Sequence, residues 1–143
     1  MSAKSFFTAE EQRRIVEAIA EAEMNTSGEI RVHLEKKCTL EVLDRASQVF
    51  AKLNMHKTAE RNGVLFYLAV ENHKFAILGD AGINAKTGPD FWNEIKAGMA
   101  EDFSKGNFAD GLINGILKAG EQLKAHFPYK SDDVNELPNE ISF

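Results

Sequence analysis

Arg61-Asn62-Gly63-Val64-Leu65-Phe66-Tyr67-Leu68-Ala69-Val70-Glu71-Asn72-His73-Lys74-Phe75-Ala76-Ile77-Leu78-Gly79-Asp80-Ala81-Gly82 is the stretch that decides the fold. Val64 to Val70 is an unbroken apolar run of strand length, rich in β-branched and aromatic residues, the pattern of a strand covered on both faces. Asn72 and His73 supply a two-residue turn, because Asn tolerates the left-handed backbone that a tight hairpin needs. Lys74 to Gly79 is the return strand, so the stretch reads as a β-hairpin.

Upstream, Thr8-Ala9-Glu10-Glu11 is a capping box in which the Thr8 hydroxyl takes the Glu11 amide and Glu11 reaches back. The helix it opens turns Ile15, Ala18, Ile19 and Ala22 inward and leaves Arg13, Arg14, Glu17 and Glu21 in water. Glu29 to Glu35 then alternates strictly, with Ile30, Val32 and Leu34 on a buried face and Glu29, Arg31, His33 and Glu35 on the other. A second helix from about Leu40 to Leu53, with an inner stripe of Val42, Leu43, Ala46, Val49, Phe50 and Leu53, joins this strand to the hairpin. Strand, helix and strand make a βαβ unit with parallel strands and a right-handed crossover.

Downstream of the hairpin, Asp80 to Gly88 reads as an irregular loop, and Pro89 fits the first turn of a third helix carrying Phe91, Trp92, Ile95, Met99 and Phe103. A fourth helix runs from about Phe108 to His126 and is stopped by Pro128. Gly111, Gly115 and Gly120 lower its intrinsic propensity, which implies close packing. Residues 129–143 lack periodicity and read as a flexible tail behind one domain over residues 1–128.

The 143 residues are the size of one domain, and 43% hydrophobic content is enough for a real core. A net charge of -5 without a basic stripe argues against a nucleic-acid surface. Cys38, the lone cysteine, excludes an internal disulfide framework and a Cys-x-x-Cys pair and suits a reducing compartment. With no secretory core at the N-terminus and no membrane-length apolar run, the expectation is a cytoplasmic monomer without membrane insertion.

The topology brings polar residues together. Parallel first and second strands with an antiparallel third place Glu29, Arg61, Asn62 and Asp80 at one sheet edge. The loop from Asp80 adds Asn84, Thr87 and Asp90, and Asp110 joins them if the fourth helix packs antiparallel to the third. Carboxylate and amide oxygens on loops suit a hard cation, calcium or magnesium. Ordinary structural roles stand beside this reading: Asp90 as a helix cap, Glu29 as a solvated strand residue, Asp80 as a turn residue, and Arg61 as the ion-pair partner of Asp80 or Glu29. The loop is no EF-hand, since Ala85 stands where the Gly belongs and Phe91 where the bidentate Glu would sit. Cys38 and Arg45 miss the spacing of a cysteine phosphatase loop, the glycines fit neither a P-loop nor a dinucleotide fingerprint, and His33, His56, His73 and His126 are dispersed. Phe91 and Trp92 read as core.

Ser27-Gly28-Glu29-Ile30-Arg31-Val32, Arg61-Asn62-Gly63-Val64-Leu65-Phe66-Tyr67, Phe75-Ala76-Ile77-Leu78-Gly79-Asp80-Ala81-Gly82-Ile83 and Phe103 with Gly106-Asn107-Phe108 and Gly111-Leu112 resemble, in this order, the motifs of the TPM domain family. The resemblance spans Glu11 to Phe127 and is to the short, soluble bacterial-type members. It implies a three-layer α/β/α sandwich with a small mixed β-sheet, divalent-cation binding, acid phosphatase activity as in chloroplast relatives used in photosystem repair, and accessory roles beside membrane proteins. Gly82-Ile83-Asn84 stands where many members have Gly-Leu-Glu, so an amide replaces a carboxylate and lowers the charge of the implied site. Three readings follow: a regulatory or accessory domain binding a divalent cation through Glu29, Asp80, Asn84, Asp90 and Asp110; a metal-dependent acid phosphatase with Arg61 stabilising negative charge; and a protein-interaction module without a metal.

Overall fold

The computed structural model describes residues 2–88, 90–129 and 136–143. Its centre is a mixed three-stranded sheet in the order β1-β2-β3, with β1 at Glu29–Glu35, β2 at Gly63–Ala69 and β3 at Lys74–Gly79. β1 runs parallel to β2, pairing Glu29 with Gly63 and Glu35 with Ala69, and β3 returns antiparallel, pairing Val64 with Gly79 and Ala69 with Lys74. The α/β class, the parallel first pair and the hairpin are those read from the sequence. The hairpin loop is longer than expected: pairing ends at Ala69 and Lys74, and the left-handed residue is His73, with φ 55°.

Strand alternation sorts the side chains into two layers. Ile30, Val32, Leu34, Val64, Phe66, Leu68 and Ile77 form one core with residues of α2 (Ala9–Glu23), α5 (Asn93–Ser104) and α6 (Phe108–His126). Leu65, Tyr67, Ala69 and Ala76 form the second with Ala46, Val49 and Phe50 of α3 (Val42–Lys52). Helices thus cover both faces, the expected α/β/α arrangement. α2 begins at the Thr8–Glu11 capping box read from the sequence, while α1 (Ala3–Phe6), capped by Ser2, was not foreseen. Met55 of the short 3-10 turn Met55–Lys57, between α3 and β2, is buried in the second core.

α2 and α6 come together closely because Gly120 has no side chain: a Cβ there would stand 2.7 Å from the backbone of Ala22. Trp92 is buried, as expected, but α5 starts only at Asn93, and Pro89 lies outside the described residues. Asp80 to Gly88 is not an irregular loop. Residues Ala81–Lys86 form a short helix, α4, with Asp80 as its N-cap.

The C-terminal residues also depart from expectation. Of the stretch read as a flexible tail, residues 130–135 lie outside the described residues, whereas residues 136–143 are seated against β1. Leu34 N donates to Ser142 O (2.9 Å) and Ser142 N to Val32 O (2.8 Å), so the segment extends the sheet for one bridge. Leu137 is buried in the second core. Periodicity cannot reveal a segment that docks without regular structure, through one bridge and a few anchors. Among the described residues, no helix is long and apolar enough to cross a membrane.

Candidate functional site

The open end of the hairpin is stitched together by backbone. Asp80 N donates to Gly63 O (3.0 Å), Glu29 N to Asn62 O (3.3 Å) and Gly82 N to Arg61 O (2.8 Å). Gly82 is required there, since a Cβ would fall 2.1 Å from Glu60 O. Asn62 is buried, donating its backbone N–H to Thr58 Oγ1 (3.1 Å) and its side-chain amide to Ser27 Oγ (3.2 Å).

On this frame Asp80 has a defined load. Its Oδ2 accepts from Arg61 Nε (2.8 Å) and its Oδ1 from Arg61 Nη2 (2.9 Å), a bidentate pair. Oδ1 also accepts the Ala81 amide (2.7 Å), capping α4. The Asp80 side chain is 6% exposed and that of Arg61 50%, so a buried carboxylate faces a cation with one side in water. The hydrogen bond to Asp80 raises the Arg61 guanidinium above its usual range. Of the alternatives for Arg61, pairing with Asp80 is the one adopted.

The other residues expected at this edge are dispersed among different partners. Asn84 is exposed on α4, its amide donating weakly to Gly79 O (3.4 Å). Asp90 is exposed and accepts from Asn93 Nδ2 (3.2 Å). Asp110, in the first turn of α6, pairs with Arg14 of α2 at 2.9 Å, because α6 packs along α2 as well as α5. The Glu29 backbone is at the edge, but its side chain belongs to the α3 face of the sheet and is 3% exposed, so it is not a solvated strand residue. Among the described residues, no three His, Cys, Asp or Glu side chains are grouped to hold a metal ion. The five residues therefore do not form a ready cage. Asp80, Asn84 and Asp90 remain on one continuous segment, and Asp80 is free for a metal only if Arg61 withdraws.

A second polar cluster lies on the face of β1 that alternation assigns to water. Glu29, Arg31 and His33 are each less than 9% exposed, beneath the C-terminal segment. Glu29 Oε1 accepts the Leu137 amide (2.5 Å), Arg31 Nη2 donates to Glu140 O (3.3 Å), and His33 Nδ1 is 2.9 Å from Ser142 Oγ. Burial pushes the Glu29 carboxyl up to about 7, opposed by the Leu137 and Glu136 amides and aided by the Glu136 carboxylate. Burial likewise lifts Glu23, whose Oε2 accepts the Ile30 amide (2.8 Å), to about 7, and lowers His33. At the far end of the strand Glu35 is ionised. Burial raises its pKa, but hydrogen bonds from Arg45 and Tyr67 and the Arg45 charge outweigh that and hold it at about 2. Arg45 Nε reaches both Glu35 oxygens at 3.0 Å. The sequence carries only a partial signal for this cluster, four successive polar positions on one strand face and apolar residues such as Leu137, Ile141 and Phe143 in a largely polar end.

The sequence matches the TPM domain over residues 2–122. No curated protein matches the chain. Among solved structures, the chain is similar to the BA42 protein of the psychrophilic bacterium Bizionia argentinensis, with 52% identity, a TM-score of 0.91 and coverage of 97% of this chain and 96% of that one. The N-terminal domain of a P. gingivalis protein shares the fold at 16% identity and TM-score 0.71, covering 86% of this chain and 80% of that one. The N-terminal domain of the Corynebacterium glutamicum cg2496 protein does so at 13% and 0.68, with coverage of 92% and 82%. By the ordered motifs, the α/β/α layers and the match across most of its length, the chain belongs to the TPM domain family.

Proposed function

We propose that the chain is a regulatory or accessory domain that takes a divalent cation, calcium or magnesium, at the hairpin's open end by exchange with the Arg61 guanidinium. Asp80 is the carboxylate shared between the two cations, and Asn84 and Asp90 supply further oxygens from the segment that Asp80 begins. The observation that carries the reading is the Asp80–Arg61 pair: a carboxylate 6% exposed, fixed by a helix cap, whose counter-ion is half in solvent and can leave. Oxygen donors from one short segment, completed by water, match the chemistry of calcium and of magnesium. Glu29 and Asp110 are left out of the ligand set because their partners are Leu137 and Arg14.

The test is a calcium titration followed by amide chemical shifts. Shifts should concentrate on residues 80–90 and on the Arg61 side-chain N–H, which loses its acceptor. Shifts spread evenly over the surface, or none at millimolar calcium, would remove the proposal. A magnesium titration run in parallel separates the two ions, since magnesium gives up its waters more reluctantly.

A further inference from the structure

β1 is an outer strand of the sheet, and such an edge presents unpaired backbone groups to any chain that can lie along it. Here the edge is closed in three places. Glu23 Oε2 takes the Ile30 amide, Ser142 N reaches Val32 O, and Leu34 N reaches Ser142 O. The last two bonds belong to residues 136–143, which run parallel to β1 at that bridge and also roof the face bearing Glu29, Arg31 and His33. α3 packs chiefly over β3, so this segment does for β1 what a helix does for the rest of the sheet.

The roof is a poor chemical match. Among the described residues, Glu29 Oε2, Arg31 Nε and His33 Nε2 are buried without a well-formed hydrogen bond, His33 Nε2 facing the Glu35 carboxylate at 3.5 Å and Glu29 standing beside the Glu136 carboxyl. They sit at alternate residues of one strand face, on side chains 3%, 8% and 5% exposed, all under the same segment. A buried polar atom without a good partner is destabilising, so an occupant that gave these atoms well-placed partners would hold this surface better than the present one. The backbone bonds, by contrast, are generic and available to any extended chain.

We propose that the outer edge of β1 is a strand-addition site for an extended peptide of a partner protein, and that residues 136–143 are its intramolecular occupant. The partner peptide runs parallel to β1, places an aliphatic side chain where Leu137 now sits, directs a donor at Glu29 Oε2 and a carboxylate at Arg31 Nε, and carries a polar side chain opposite His33. Because the resident segment is tethered, it competes at an effective concentration on the order of millimolar, and a partner binds tightly only once that segment is weakened or outmatched.

The test uses the full chain with Ser142→Pro, which removes the N–H that Val32 O accepts. The probe is a synthetic peptide with the sequence of residues 136–143, titrated into the 15N-labelled variant and the unsubstituted protein. The expected result is at least ten-fold tighter binding to the variant, with shifts confined to Glu29 through Leu34, to α2 and to the Met55–Gly63 stretch that Glu136 and Leu137 touch. Equal affinity for both proteins, no binding to a folded variant, or a variant that self-associates without taking up peptide would overturn the proposal. Should Ser142→Pro fail to fold, amide exchange in the unsubstituted protein decides the matter. A displaceable segment requires the Leu34 amide to exchange at least a hundred-fold faster than the Phe66 amide of β2, and comparable protection of the two would overturn the proposal.

Discussion

Glu29→Gln should make the protein more stable at pH 8 and less stable, by about 1 kcal/mol, at pH 4, where the parent carboxyl is already neutral. Glu29 is 3% exposed, and burial holds its carboxyl at about 7 against an unfolded value of 4.5. The sign follows from linkage: a carboxyl whose pKa is raised by folding contributes stability that is fully present below the unfolded value and is lost as pH rises to the folded one. A rise from 4.5 to about 7 corresponds to about 3 kcal/mol lost between those limits. A glutamine keeps an oxygen for the Leu137 amide and carries no charge, so the variant escapes that loss, less about 1 kcal/mol for its own buried amide N–H. The net expectation at pH 8 is a gain of about 2 kcal/mol. Urea unfolding at pH 4, 5, 6, 7 and 8, with the slope on denaturant held in common, measures it. A variant less stable than the parent at pH 8, or a parent whose stability does not fall between pH 5 and 7, would refute the reasoning. Glu23, lifted to about 7 as well, adds a fall in the same window that persists in the variant, so the variant's curve should flatten rather than become level.

Gly120→Ala drives a Cβ to 2.7 Å from the Ala22 backbone and should cost at least 1–3 kcal/mol in thermal or urea unfolding, whereas Gly98→Ala, whose nearest neighbour is the flexible Lys118 Nζ at 3.8 Å, should stabilise α5 by about 1 kcal/mol. Tyr67→Phe removes a hydrogen bond to the Glu35 carboxylate and should destabilise by about 1–3 kcal/mol near neutral pH. Since the depressed Glu35 pKa contributes stability above 4.5 that is lost as pH falls toward about 2, acid unfolding of that variant should begin at higher pH, as followed by circular dichroism. If the open end of the hairpin binds without catalysing, purified protein with millimolar magnesium or calcium should hydrolyse an aryl phosphate no faster than Asp80→Asn does.

Much of the fold was legible because it rests on local rules. The Thr8–Glu11 box opens α2, and the alternation of Glu29–Glu35 and the run from Val64 mark β1 and β2. Alternation distinguishes two faces of a strand, however, and says nothing of what lies over each. Glu29, Arg31 and His33 are buried by residues more than a hundred positions downstream, and no local signal contains that contact. α4 was missed because six residues containing Gly82 and Asn84 have weak helical preference, and the cap from Asp80 with its brace from Arg61 decides the outcome. At the candidate site, topology placed Asp80 beside Arg61 correctly, since strand order and hairpin register fix their backbones. Asp110 was drawn to the wrong neighbours because its place depends on how α6 crosses α2, which follows from the fit of Gly120 against Ala22 rather than from periodicity.

The central claim is that a divalent cation and the Arg61 guanidinium compete for one carboxylate. Calcium affinity measured by calorimetry for the parent, Arg61→Ala and Asp80→Asn tests it most directly. Removing the competitor should tighten calcium binding at least ten-fold in Arg61→Ala, and removing the shared carboxylate should abolish it in Asp80→Asn. Equal or weaker binding by a folded Arg61→Ala, or binding that survives Asp80→Asn, would contradict the account.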